Sequence, residues 1–148
     1  MKALLQRVSE ASVSVDGAGV GAINGGLLVL LGLDRGDTIE TGQRMLDKLL
    51  AYRVFADAEG RMNRNVVEAG GGVLLVSQFT LSADTRKGLR PSFTSALEPA
   101  LAEPLFTEIY EALQERHQPV AAGVFGADMQ VALVNDGPVT FLLEISAS

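Results

Sequence analysis

The sequence predicts an α+β fold in a single domain, 1–148, with mixed or antiparallel β-sheets forming a barrel-like core and two main helices. Three observations predict it. Apolar runs rich in β-branched and aromatic residues outnumber the helical stripes and follow one another in series, the mark of strands grouped in a sheet. Only two segments carry apolar residues at helical spacing. No repeat, low-complexity tract or linker interrupts the 148 residues, a length typical of one domain.

The elements follow in order. Lys2–Val8 is a mixed apolar run, and Ser12–Val15 alternates cleanly. After the turn cluster Asp16–Gly19, Val20–Ile23 alternates again, so this region reads as a hairpin with one wet face. Asn24-Gly25-Gly26 is a further turn, and Leu27–Leu33 is short and continuously apolar, as in a strand covered on both faces. Asp37 or Thr38 caps the first helix, with Glu40 at capping-box spacing from Asp37. Met45, Leu46, Leu49 and Leu50 form its core stripe. Arg53–Phe55 reads as a short strand, Asp57–Gly60 as a turn, and Gly70–Gly72 as a flexible turn before the buried strand Val73–Val76. No Gly-Lys-Ser/Thr follows those glycines, so they are not a phosphate loop. Pro99 starts the second helix, with Leu101, Leu105, Ile109 and Leu113 as its stripe and Pro104 as an awkward insertion. That helix stops near His117-Gln118-Pro119. Strands around Val120–Phe125 and Met129–Val134 follow. Asn135-Asp136-Gly137-Pro138 then reads as a sharp corner into a last strand, Val139–Leu143.

Composition narrows the function. Nearly half the residues are apolar (47%), enough to build a sizeable core. Cysteine is absent, which rules out disulfides, thiol catalysis and cysteinyl metal sites and suits a reducing compartment. The early charge at Lys2 and Arg7 argues against a secretory signal, and no apolar run approaches membrane-span length. The expectation is a cytoplasmic protein with no membrane and no DNA partner. The net charge of −6 opposes nucleic-acid binding in general, although Arg86-Lys87-Gly88-Leu89-Arg90 forms a local basic run.

His117 is the only histidine and sits at a helix end, where a structural or surface role fits. A serine–histidine–aspartate triad and a histidine-rich metal site therefore lack their parts, and the carboxylates are scattered on helices and turns without a spacing that pairs them for a two-carboxylate hydrolase. No metal and no cofactor is expected. An enzyme built from these residues works by positioning and backbone dipoles more than by a classical base. Ser77-Gln78-Phe79-Thr80, at the end of a buried strand, is well placed for a site, while its hydroxyls equally suit backbone capping.

Taken with Ser77–Leu81, the stretch Asn135–Thr140 resembles the D-aminoacyl-tRNA deacylases. The resemblance extends in order through Gln6-Arg7-Val8, Gly26–Gly32, Tyr52–Phe55, Asp57–Asn63, Arg90–Phe93 and Ala127–Val131, and is weakest at Leu97–Pro104. It implies hydrolysis of the ester joining a D-amino acid to the 3′ acceptor end of tRNA, and a homodimer. It places the terminal adenosine around Ser77, Gln78, Phe79 and Thr80, with Phe79 packing on the base. Thr80, or backbone N–H groups beside it, would bind the carbonyl oxygen, and the ribose 2′-hydroxyl would help activate water. Gly137-Pro138 would be a cis peptide reaching into the partner subunit's site, where it excludes L side chains but accepts D residues and glycine. Arg7 would hold that peptide, and Phe125, Met129 and Asn135 would stand around the pocket. The residues alone leave two other readings open. One is a small-molecule hydrolase or ligand-binding protein with an oligomer-interface pocket. The other is an interaction protein using the Gly-Pro corner as a surface turn.

Overall fold

One long strand organises the sheet. In the computed structural model, which describes residues 1–147, β1 (Lys2–Val15) pairs antiparallel with β3 (Gly26–Gly32) along its first half and with β2 (Ala18–Ile23) along its second. Its other edge carries β8 (Gln130–Glu144), also antiparallel. Beyond β3, β6 (Gly72–Ser77) and β7 (Val120–Ala122) continue in parallel. The sheet is therefore mixed. It nearly closes into a barrel, because β7 curls back onto β2: a Cβ at Gly21 would stand 2.7 Å from the Ala122 carbonyl oxygen.

Successive residues of a strand face opposite sides. On β3, Leu27, Val29 and Leu31 share a core with Met45, Leu46 and Leu49 of α1 (Ile39–Ala51) and with Ile109 and Leu113 of α3 (Pro99–Arg116). Leu28 and Leu30 face the barrel interior with Val8, Val13 and Ile23. Two cores on two faces explain the unbroken apolar run in β3. The helices cross closely at Gly42, where a Cβ would lie 2.5 Å from Ile109 Cγ1.

Several expectations change in detail. Of the two expected caps it is Thr38 that starts α1, and its capping box closes with Thr41 in place of the Asp37–Glu40 pair. Asp37 is unavailable because its buried carboxylate accepts from the Asp34 N–H at 2.7 Å and from the Met1 ammonium at 3.3 Å. Leu101 is 54% exposed and Ala102 is buried in its place. A strict four-residue repeat drifts by about 40° per step around a helix of 3.6 residues per turn, so it leaves the core face within three steps. His117 is the α3 C-cap and its Nε2 lies 2.7 Å from the Gly71 carbonyl oxygen, a structural placement. The strand expected at Arg53–Phe55 is only β4 (Phe55–Ala56), paired with β5 (Met62–Arg64). A one-turn helix, α2 (Val66–Ala69), follows, making three helices in all among the described residues. Gly70 closes it with φ 69°, so the glycine triplet opens as an ordered helix cap and not as a flexible turn.

The largest correction concerns Asn135–Pro138. No hairpin corner forms there, and β8 runs on through it. Gln6 pairs with Thr140 and Val8 with Asn135, so Asp136–Val139 bulge out of the ladder opposite Arg7. A bulge is where proline, having no N–H to donate, fits within a strand.

Candidate active site

The site begins at the carboxyl end of β6. Ser77 is its last residue, paired with Leu31, and the Gln78 N–H donates to the Leu31 carbonyl at 2.8 Å. The chain then tightens into a 3₁₀ turn, Phe79–Ser82. That turn packs against the end of β3 because residue 32 is glycine: a Cβ there would lie 2.9 Å from Leu81 Cβ and 3.1 Å from the Gln78 carbonyl oxygen. The Gln78 side-chain amide donates to Thr80 Oγ1. As first residues of a helical turn, Phe79 and Thr80 have N–H groups with no partner inside the turn.

Ser77, Gln78 and Phe79 line a cavity of about 620 Å³, together with Phe125 and Met129. Phe79 is 58% exposed and its ring lies 5.0 Å from that of Phe93 at 55°, so two exposed aromatic rings share the cavity lining. Thr80 is exposed beside the cavity but is not part of its lining. Phe93 and Arg35 also line it, and the sequence reasoning did not select them. An aromatic residue in the otherwise polar segment Arg90–Ser95 was the available signal for Phe93. Nothing marked Arg35, which reaches the cavity through folding alone: its N–H donates to the Ser95 carbonyl at 3.0 Å.

A second cluster surrounds the bulge. The Gly137–Pro138 peptide is cis, and Gly137 has φ 122°, a region closed to most L residues. Arg7 spans the space beneath. Its Nε donates to the Asp136 carbonyl at 3.2 Å and its Nη1 to the Val54 carbonyl at 2.8 Å. Asn135 locks the base of the bulge. In the orientation that satisfies every neighbour, its amide nitrogen donates to the carbonyls of Arg7 at 3.1 Å and Val139 at 3.2 Å, and its oxygen accepts from Thr140 Oγ1 at 2.8 Å.

One chain therefore brings Ser77, Gln78, Phe79, Phe125 and Met129 together, and separately brings together Arg7, Asn135, Gly137 and Pro138. None of the second group lines the cavity. Close to the first group, Asp84 is held down at about 2, chiefly by the hydrogen bond from the Arg86 side chain. No three His, Asp or Glu side chains gather as metal ligands among the described residues, and no described helix is long and apolar enough to cross a membrane. The chemistry on offer is stacking by exposed rings, hydroxyl and amide hydrogen bonding, and free backbone N–H groups.

Comparison with known proteins covers nearly the whole chain. The family model described as D-Tyr-tRNA(Tyr) deacylase matches residues 4–144. The D-aminoacyl-tRNA deacylase of Methylococcus capsulatus is 61% identical over 97% of this chain and 94% of its own. That of Azotobacter vinelandii is 62% identical over 97% and 99%. A solved structure, the c-Myc DNA Unwinding Element Binding Protein, superposes with a TM-score of 0.94 at 41% identity, covering 99% of each chain.

Proposed function

The chain belongs to the D-Tyr-tRNA(Tyr) deacylase family, and from that premise we propose that it hydrolyses the ester bond of D-aminoacyl-tRNA, releasing free tRNA and the D-amino acid. The reading is carried by the aromatic-rimmed cavity at the end of β6, which combines base-stacking surface with polar groups and has no histidine base. An ester is already activated relative to an amide, so positioning and electrostatic stabilisation suffice as the means of catalysis.

In this mechanism Phe79, backed by Phe93, takes the terminal adenine. Gln78 orients Thr80, and the Thr80 hydroxyl or the neighbouring backbone N–H groups receive the carbonyl oxygen as negative charge develops. The 2′-hydroxyl of the terminal ribose helps activate the attacking water. Ser77 helps position the ester, and Phe125 and Met129 wall the acyl side. The protein works in the cytoplasm, where its substrate is made.

The active form is a homodimer in which Gly137-Pro138 of each subunit reaches the partner's cavity. Its carbonyl groups meet an L side chain and exclude it, whereas D residues and glycine pass. Glycine mischarged on a non-cognate tRNA is therefore a substrate too. Two observations support the two-subunit site. The Gly-Pro cluster lies apart from the cavity of its own chain. In addition, among the described residues β8 pairs only with β1 and leaves its outer edge open, with Val134, Phe141 and Leu142 exposed. The test is Thr80→Ala together with a tRNA ending in 2′-deoxyadenosine. Slow hydrolysis of the deoxy substrate by the unaltered chain is expected. If Thr80→Ala abolished hydrolysis with binding intact, and the deoxy substrate were cleaved normally, assistance by the RNA would be ruled out.

A further inference from the structure

We propose that the loop Thr85–Pro91, together with Arg35, whose N–H is bonded to the Ser95 carbonyl just beyond the loop's stem, is a phosphate-binding surface that holds the RNA strand leading into the cavity; this rests on the deacylase reading. The chain is acidic, at −6, yet Thr85–Pro91 contains Arg86, Lys87 and Arg90 and no carboxylate. All three are exposed. Arg86 is tied to Asp84 at 2.8 Å, while Lys87 and Arg90 make no ion pair among the described residues.

The stem of this loop is fixed. Asp84 and Ser92 exchange both backbone hydrogen bonds, at 2.7 and 3.0 Å. Ser95 Oγ donates to the Ser82 carbonyl at 2.6 Å, and the Ser95 carbonyl accepts from Arg35 N–H. The bridged pair leads directly to Phe93 in the cavity wall. Arg90 is three residues before Phe93, so at most about 11 Å of backbone separates them. Arg35 lines the same cavity. A nucleic-acid strand whose terminal base occupies the cavity must leave through its mouth, carrying a phosphate at every nucleotide. Free cations on an anchored loop at that mouth of an acidic protein match that path.

The experiment compares two substrates, D-Tyr-tRNA and the phosphate-free ester D-Tyr-adenosine, with Lys87→Ala/Arg90→Ala and Lys87→Glu/Arg90→Glu. A single-stranded phosphate contact contributes a slope of about 0.7 in log affinity against log salt, or about fivefold between 1 M and 0.1 M salt. For the double alanine variant the KM for D-Tyr-tRNA is expected to rise about 25-fold at 0.1 M salt, and its salt slope to fall by about 1.4. Charge reversal gives a larger rise. The kcat on tRNA and the kcat/KM on D-Tyr-adenosine stay unchanged. An unchanged KM and salt slope for tRNA would overturn the proposal, leaving a solvated loop. An equal loss on both substrates would also overturn it, since the loop would then shape the pocket. Failure of the unaltered protein on both substrates would instead remove the deacylase reading, and this surface with it.

Discussion

Replacing Arg7 by alanine separates support of the Gly-Pro bulge from general stability. The Arg7 side chain is 16% exposed, and its guanidinium joins two carbonyls from different parts of the chain, Val54 at 2.8 Å and Asp136 at 3.2 Å. A hydrogen bond from a charged donor contributes about 1.5–3 kcal/mol. Val54 is 1% exposed, so its carbonyl loses its donor without ready replacement by water, at a cost of about 2 kcal/mol. The Asp136 carbonyl belongs to an exposed residue and regains most of its bond from solvent. The Arg7–Asp136 ion pair at 3.4 Å adds at most about 0.5 kcal/mol, because the aspartate side chain is 58% exposed. The sum is about 2–3 kcal/mol, which for a chain of this size lowers Tm by about 4–12 °C. Freed from Arg7, the bulge no longer holds its carbonyls in one place, and the preference for D over L substrate falls by at least about tenfold, the equivalent of about 1.4 kcal/mol. Thermal unfolding at fixed protein concentration and parallel rates on D-Tyr-tRNA and L-Tyr-tRNA measure both effects. A variant with unchanged Tm and unchanged D:L ratio would refute this account of Arg7.

Three further outcomes are expected. Phe79→Ala leaves Tm nearly unchanged, since the ring is 58% exposed, but raises the KM for D-aminoacyl-tRNA by about fivefold or more in initial-rate measurements, because stacking on a base contributes about 1–3 kcal/mol. Gly42→Ala forces a Cβ to 2.5 Å from Ile109 Cγ1 and lowers stability by about 1–3 kcal/mol, read as a lower urea midpoint at constant m. The Asp84 carboxyl titrates near 2 in the folded protein, below its ordinary 3.8. Its contribution to stability is therefore complete above about pH 4 and is lost as pH falls from there through about 2. Arg86→Ala returns the titration towards 3.8, which carboxyl-carbon NMR detects directly.

Much of the fold is legible in the sequence because period and burial agree. Leu27–Leu33 and Val73–Val76 are unbroken apolar runs because both of their faces are covered. The α1 stripe and the α3 limits at Pro99 and His117 follow from helical spacing and from end signals. What the sequence hides depends on distant partners. Asp37 looks like a helix cap, but the carboxylate is drawn to the Met1 ammonium, remote in sequence. Asn-Asp-Gly-Pro has the chemistry of a hairpin corner. It becomes a bulge because β1 is long enough to pair on both sides of it, and local composition cannot reveal that length of pairing. In the candidate site, Ser77–Thr80 was visible as polar residues ending an apolar strand. Phe93 and Arg35 reach the cavity only through the hydrogen bonds that pin Ser92–Leu97 over the end of β3.

The central claim is stereoselective ester hydrolysis, and its most direct test is hydrolysis of D-Tyr-tRNA and L-Tyr-tRNA, matched in concentration, by the purified protein with a chelator present. Rapid release of tyrosine from the D ester, with the L ester left intact, is the predicted result. Cleavage of both esters would contradict exclusion by Gly137-Pro138, and cleavage of neither would contradict the deacylase function itself.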